Sequence, residues 1–132
     1  MTQARASTMV EARKLRKLYG NIPAVEQMSF EVSPGEVVGF LGPNGAGKST
    51  TMKMLTGFLR PSEGASIVGG IDVSVDPLGA QRKIGYLPES APMYDDMMVI
   101  DFVRYIAQLR GLSGAQLDER LKKVLGRCGL MK

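Results

Sequence analysis

The chain has 132 residues, 44% apolar and 23% charged, so it is long enough for one domain and too apolar for wholesale disorder. Its longest mainly apolar windows, 37 to 41 and 97 to 109, fall short of the roughly 20 residues that a membrane span requires. The net charge of +4 permits only weak attraction to nucleic acid or anionic lipid, and the N-terminus lacks the apolar core of a secretory signal.

The N-terminal quarter predicts an antiparallel sheet. Residues 1 to 8 are small and polar and predict a disordered N-terminus. Segments around 9 to 14 and 24 to 32 favour strands, the second because its side chains alternate in character. The basic run Arg13, Lys14, Arg16 and Lys17 predicts a solvated edge strand, because lysine on an edge blocks stray strand pairing.

A strand, a loop and a helix follow in that order. The sequence "SPGE" at 33 to 36 predicts a turn, and "EVVGFL" at 36 to 41 predicts a short buried strand. A helix is predicted from Lys48 to about Phe58, ended by the glycine and proline of "GFLRPSEG". The residues spaced to face inward from it are Met52, Leu55 and Leu59.

The remainder alternates between strand and helix signals. Strand material at 65 to 73 is followed by a short helix near 77 to 82, a buried strand "KIGYL" at 83 to 87 and a loop at 88 to 96. Two amphipathic helices close the sequence. Their predicted apolar stripes are Phe102, Ile106 and Leu109 in the first, and Leu117, Leu121, Val124, Leu125 and Cys128 in the second. Cys128 is the only cysteine, which excludes an internal disulfide and fits a reducing cytosol.

A glycine-rich loop between the strand and the helix satisfies the pattern GxxxxGK[ST]. Its candidate phosphate-binding residues are Gly42, Pro43, Asn44, Gly45, Ala46, Gly47, Lys48, Ser49 and Thr50. The glycines allow successive N–H groups to turn inward around phosphate oxygens, and the following helix directs its positive end at the same anion. Lys48 adds a charge for the β and γ phosphates, and the Ser49 hydroxyl suits Mg²⁺. A glycine-rich turn without a ligand is the alternative.

The loop differs from the fingerprint of dinucleotide-binding folds. That fingerprint lacks the GK[ST] ending and requires an acidic residue about 20 positions further on. Arg60 lies near that place. The sequence therefore predicts a phosphorylated mononucleotide as the ligand.

Several stretches together resemble the ATP-binding subunits of ABC transporters, from about residue 9 to the last residue. "VEARKLRKLYG" looks like the family's opening strand and aromatic loop, and "AVEQMSFEVSPGEVVGFLGPNGAGKSTTMKMLTGFLRPSEG" resembles its core. The resemblance implies an α/β P-loop NTPase core with an N-terminal antiparallel β portion, ATP and Mg²⁺ as cofactors, and stacking of Tyr19 on adenine. For Tyr19, a core aromatic at a strand end is the alternative.

Glu89 marks a departure from the family's commonest pattern. "GGIDV" followed by "IGYLPES" resembles the passage into the Q-loop, which in the family senses the γ-phosphate and contacts the membrane-spanning partner. Glu89 stands where that loop normally carries glutamine, so the resemblance implies a catalytic and metal-binding role for a carboxylate that cannot donate a hydrogen bond. "YLPE" is similar to an exporter-type subgroup, and an exposed loop glutamate is the alternative.

The stretch "GLSGAQLDER" at 111 to 120 is similar to the family's signature LSGGQ but lacks its context, because an amphipathic helix follows it. Ser113 and Gln116 instead predict a capping box before that helix. The acidic pairs Asp95 with Asp96 and Asp118 with Glu119 follow no buried strand, which predicts surface charge.

The family's remaining catalytic parts are an aspartate ending an apolar strand, an adjacent glutamate, a signature from a second subunit and a switch histidine. None can be identified after Glu89, and the chain has no histidine. The sequence thus predicts an ATP-binding core over 9 to 90 and an incomplete helical subdomain over 91 to 132, which does not turn over ATP alone.

The resemblance implies an ATPase that powers export across a membrane. Its partners would be a transmembrane permease and a second nucleotide-binding domain. It would act at the cytoplasmic face of the cell membrane. No nucleic acid partner is expected. Two alternatives remain open: a soluble ABC-type ATPase of translation or DNA repair, and a module that holds a nucleotide without hydrolysing it.

Overall fold

The computed structural model describes residues 7–43, 45 and 47–131. The chain divides between Gly85 and Tyr86 into two compact units, and each is described by itself. Two predicted loop residues, Asn44 and Ala46, and residues 1–6 of the predicted disordered terminus lie outside the described residues.

The first unit contains a four-stranded antiparallel sheet, as the sequence predicted. The strands are β1 (Val10–Tyr19), β2 (Ile22–Val32), β3 (Glu63–Val68) and β4 (Ile71–Asp72), and their order in the sheet is β2-β1-β3-β4. Gly20 and Asn21 connect β1 to β2, so these long strands form a hairpin. The N-terminal β portion is therefore built around β1, which pairs on both sides.

The position of β1 corrects the prediction of an edge strand at the basic run, because β1 lies between β2 and β3. One face of an antiparallel sheet can face water, so charged side chains do not identify an edge. Arg13 pairs with Glu11 at 2.5 Å, and Arg16 pairs with Glu63 on β3 at 3.0 Å. The basic run thus contributes cross-strand and local ion pairs.

Helix α1 (Lys48–Leu55) supplies the other half of the main core. Ala12, Leu15 and Val25 from the sheet are buried together with Met54 and Leu55 from the helix. The prediction that Leu55 faces inward is confirmed, and Leu59 packs partly buried against the same cluster. Met52 is 40% exposed and its prediction was wrong, since the inward stripe is Thr51, Met54 and Leu55 at helical spacing.

A smaller hydrophobic core forms between the end of β3, the residue that follows β4, and the short helix α2 (Pro77–Gln81). Val68, Val73 and Ala80 are buried together, with Ala80 on α2. The Asp76 side chain caps α2 by accepting a hydrogen bond from the Gly79 N–H at 2.9 Å. The predicted short helix is therefore present.

The predicted buried strands at 36 to 41 and 83 to 87 were wrong. Neither segment is a strand, and Val37 and Leu87 are 98% and 84% exposed. Backbone N–H and C=O groups in a sheet require a neighbouring strand, and the described part of the chain offers neither segment one. The ring of Phe40 packs on Phe30 of β2, with centroids 5.7 Å apart.

The second unit consists of two helices, α3 (Val99–Leu109) and α4 (Gly114–Arg127). The predicted stripe of α4 is confirmed at Leu117, Leu121 and Leu125, which are buried. Val124 and Cys128 of that stripe are exposed, and α3 buries none of its residues completely. Arg104 of α3 bonds Asp118 of α4 at 3.3 Å.

The start of α4 corrects the predicted capping box. Ser113 occupies the N-cap position, but its side chain makes no cap hydrogen bond. Its backbone carbonyl accepts the first hydrogen bond of the helix, from the Leu117 N–H at 3.3 Å, as an N-cap carbonyl does with or without a side-chain cap. Among the described residues, no helix has the length and apolarity that crossing a membrane requires.

Leu15→Ala tests the main core. Leu15 is fully buried, so the substitution should lower the free energy of unfolding by about 2–5 kcal/mol. The fully solvated Val37→Ala should change it by less than about 0.5 kcal/mol. Urea unfolding of both variants measures the difference, and equal losses would contradict the placement of Val37 in solvent.

Candidate nucleotide-binding site

The glycine-rich loop reaches α1 through left-handed backbone. Gly45 has φ of 86° and Gly47 has φ of 90°, a region that residues with a side chain rarely adopt. Gly47 is the N-cap of α1 and, as a glycine, has no side chain with which to cap the helix. The sequence therefore needs glycine at these positions for the chain to turn into the helix.

Gly47 also lies directly against β2. A Cβ atom at this position would stand 2.6 Å from the Ala24 carbonyl oxygen and 2.9 Å from Val25 Cγ2. A Cβ atom at Gly45 would meet nothing within 4 Å. Close approach to β2 thus fixes the end of the loop, whereas the turn at Gly45 faces open space.

Lys48 begins α1, and its ammonium donates a hydrogen bond to the Gly42 carbonyl oxygen at the other end of the loop. Ser49 is exposed and Thr50 is partly exposed in the same first turn. No acidic residue lies in that turn. Since acidic side chains commonly balance the positive end of a helix, this end keeps its positive charge available for another anion.

Thr51 is a supporting residue that sequence reasoning missed. It is fully buried, and its hydroxyl donates to the Gly47 carbonyl oxygen at 2.8 Å and contacts the Met28 sulfur at 3.6 Å. These contacts fix the first turn of α1 to the loop and to β2. The available signal was a threonine at an inward helical position, three residues before Met54.

Tyr19 is the last residue of β1 and is 53% exposed, so it is not a core aromatic. The Lys17 ammonium lies 5.5 Å from the centroid of its ring. The structure therefore presents an accessible aromatic ring at the strand end, with a cation beside it. Its stacking on adenine stays a prediction.

Glu89 belongs to the second unit, in an exposed loop between Gly85 and α3. The residues of the glycine-rich loop belong to the first unit. No group of three or more cysteine, aspartate or glutamate side chains in the described residues is arranged to hold a metal ion. The metal-binding and catalytic roles of Ser49, Lys48 and Glu89 stay predictions.

A family model described as ABC transporter matches residues 25–132. The chain belongs to the ABC transporter family. A solved structure titled as the ATP-binding subunit of an ABC transporter superposes with a TM-score of 0.82 at 33% identity, covering 93% of this chain and 51% of that one. The chain accordingly has the fold of part of an ABC ATPase domain.

Two curated relatives of this ABC family chain extend the comparison. The Probable multidrug ABC transporter ATP-binding protein YbhF of Escherichia coli (strain K12) is 36% identical over 123 residues, or 93% of this chain and 21% of the relative. The Nod factor export ATP-binding protein I of Cupriavidus metallidurans is 37% identical over 119 residues, or 90% and 39%. The chain thus spans well under half the length of either relative.

Gly47→Ala and Gly45→Ala separate the two reasons for glycine in the loop. Each substitution forces a left-handed alanine, which costs about 1–2 kcal/mol, and only Gly47→Ala adds a clash with the Ala24 carbonyl. We expect a clearly larger loss of thermal stability for Gly47→Ala. Equal melting temperatures for the two variants would show that α1 does not start against β2.

Proposed function

We propose that this chain binds Mg²⁺-bound ATP at residues 42–50 and forms the nucleotide-binding portion of a longer ABC-type ATPase. The observation that carries the proposal is the uncapped start of α1, where Lys48 spans the glycine-rich loop to Gly42 and no acidic side chain is present. Family membership supports nucleotide binding, with Mg²⁺ as the usual metal.

The donors at this helix end fit a polyphosphate. The first four N–H groups of an α-helix lack an acceptor within the helix, and the first bond here runs from the Thr51 N–H to the Gly47 carbonyl. The N–H groups of residues 47–50 are therefore available to an anion, since the N-cap residue Gly47 has no side chain to accept from them. Phosphate oxygens are suitable acceptors for such a set of donors.

Bound ATP supplies the bond between its β and γ phosphates, whose hydrolysis releases free energy. Lys48 would exchange the Gly42 carbonyl for phosphate oxygens and neutralise their charge. Ser49 would offer its exposed hydroxyl to Mg²⁺, and Tyr19 would offer one ring face to the base. The chain's own contribution is positioning and charge stabilisation.

We further propose that the remaining catalytic groups lie in the rest of a longer protein, with 9–90 as the ATP-binding core and 91–132 as the start of a helical subdomain. Coverage of about half of the similar ATP-binding subunit supports this. So do the exposed apolar residues Val37, Leu41 and Leu87, which lie in the two segments, 36–41 and 83–87, that have the composition of buried strands. Further strands would cover both segments.

Transport is the proposed role of the longer protein, with a lean to export. One of the two relatives is named as a probable multidrug transporter protein and the other as a Nod factor export protein. The protein would act on the cytoplasmic face of a membrane with a transmembrane permease and a second nucleotide-binding domain. Finding an adjacent gene for a membrane protein would support this role, whereas finding a second glycine-rich loop of this type in the full gene would support a soluble ABC ATPase.

Lys48→Ala tests the nucleotide site. Removing charge-assisted hydrogen bonds to phosphate should weaken Mg·ATP binding about 10- to 100-fold, measured by titration calorimetry of the chain. Lys53→Ala, on the exposed side of the same helix, is the matched control and should leave the affinity unchanged. The unsubstituted chain should release no phosphate.

Two results would contradict the proposal. If the Lys48→Ala variant binds ATP with unchanged affinity, the glycine-rich loop is not the binding site. Steady phosphate release by the unsubstituted chain would show that its catalytic groups are complete.

Glu89→Gln tests the reaction role in the longer protein. In the family, the loop at this position senses the γ-phosphate, so restoring its usual neutral amide should change turnover by about tenfold or more while the affinity for ATP stays nearly constant. Glu119→Gln, an exposed glutamate on α4, is the control. A loss confined to ATP affinity would argue against a role for Glu89 in the reaction.

A further inference from the structure

Lys17 and Tyr19 form a pair at the end of β1. The Lys17 Nζ lies 5.5 Å from the centroid of the Tyr19 ring, at a point where the pairing of β1 with β2 is irregular. This distance is within the range of a cation–π interaction. The ammonium therefore occupies one side of a ring that is otherwise half-exposed.

The ammonium is held by the segment that follows α1. Lys17 Nζ donates to the Arg60 carbonyl oxygen at 2.9 Å. Two further bonds join the same stretches, from the Leu18 N–H to Ser62 Oγ at 3.0 Å and from the Ser62 N–H to the Arg16 carbonyl at 2.8 Å. Lys17 thus has a fixed position, set by both β1 and the chain leaving the helix of the nucleotide site.

We propose that Lys17 is a positioning residue for the nucleotide base. By occupying one face of Tyr19, it orients the ring and leaves the opposite face for a purine. This inference rests on the proposed function, because it assumes that the loop at residues 42–50 holds the phosphates of the same ligand.

The charge of Lys17 also affects the strength of stacking. A cation on one face of an aromatic ring attracts the π-electrons toward itself. The opposite face becomes less negative, which favours contact with the electron-rich adenine ring. Lys17 would therefore raise affinity for nucleotides through the base and leave affinity for the phosphate chain alone unchanged.

Lys17→Met separates the base from the phosphates, because it keeps most of the alkyl stem and removes the charge. We expect the affinity of the chain for Mg·ATP to fall about two- to fivefold, the factor equivalent to an exposed cation–π contact. Affinity for inorganic tripolyphosphate with Mg²⁺, which has no base, should not change. Lys17→Arg keeps a cation beside the ring and should preserve the affinity for ATP.

A double-mutant cycle isolates the pair. In a Tyr19→Leu chain, Lys17→Met should have no further effect on ATP affinity, and Tyr19→Leu alone should weaken ATP binding without affecting tripolyphosphate. Lys14→Met removes one charge from the same strand and is the control for net charge. Melting temperatures verify that each variant is folded.

Several outcomes would overturn the inference. A loss shared by ATP and tripolyphosphate would indicate direct attraction between Lys17 and phosphate. A loss that persists in the Tyr19→Leu chain, or no loss at all, would show that the ring does not transmit the effect. If Lys48→Ala still weakens binding of both ligands by the expected factor of about 10 to 100 in these cases, the proposed function stands and the role of Lys17 alone fails.

Discussion

The contact between Gly47 and β2 is the constraint on which the site depends. With no Cβ atom and a left-handed backbone, Gly47 brings the end of the loop against the Ala24 carbonyl and starts α1 there. The first turn of the helix is then fixed by buried Thr51, and the same helix completes the core with Met54. The hydrophobic core and the loop proposed to bind phosphate are therefore parts of one arrangement.

Local chemistry made much of the first unit predictable. The GK[ST] pattern gave the start of α1, and the alternation in β2 gave an antiparallel sheet, which the structure contains. In the second unit, helical spacing gave the buried Leu117, Leu121 and Leu125 of α4, but it also included Val124 and Cys128, which are exposed. The predicted strand ended near residue 14, whereas β1 continues to Tyr19, so the contact of Lys17 with Tyr19 was not predicted. The bond from Lys17 to the Arg60 carbonyl depends on a chain reversal that the sequence does not specify locally.

Interactions distant in sequence account for the rest. Residues 36–41 and 83–87 have the composition of buried strands, yet strand formation requires a partner that local sequence cannot supply. The inward position of Thr51 in place of Met52 follows from how α1 meets the sheet. The predicted Ser113 cap was wrong for a local reason. Its hydrogen bond depends on the rotamer of the serine side chain and not on residue type alone.

The exposed segment at 36–41 has a consequence for how the chain behaves in concentrated solution. Val37 and Leu41 are almost fully solvated, and their neighbouring backbone groups belong to no ladder. Such a stretch is a template onto which another extended chain can add, as occurs in aggregation and domain swapping. Exposed Val37 and Leu41 therefore make this stretch a place where the chain can self-associate at high concentration.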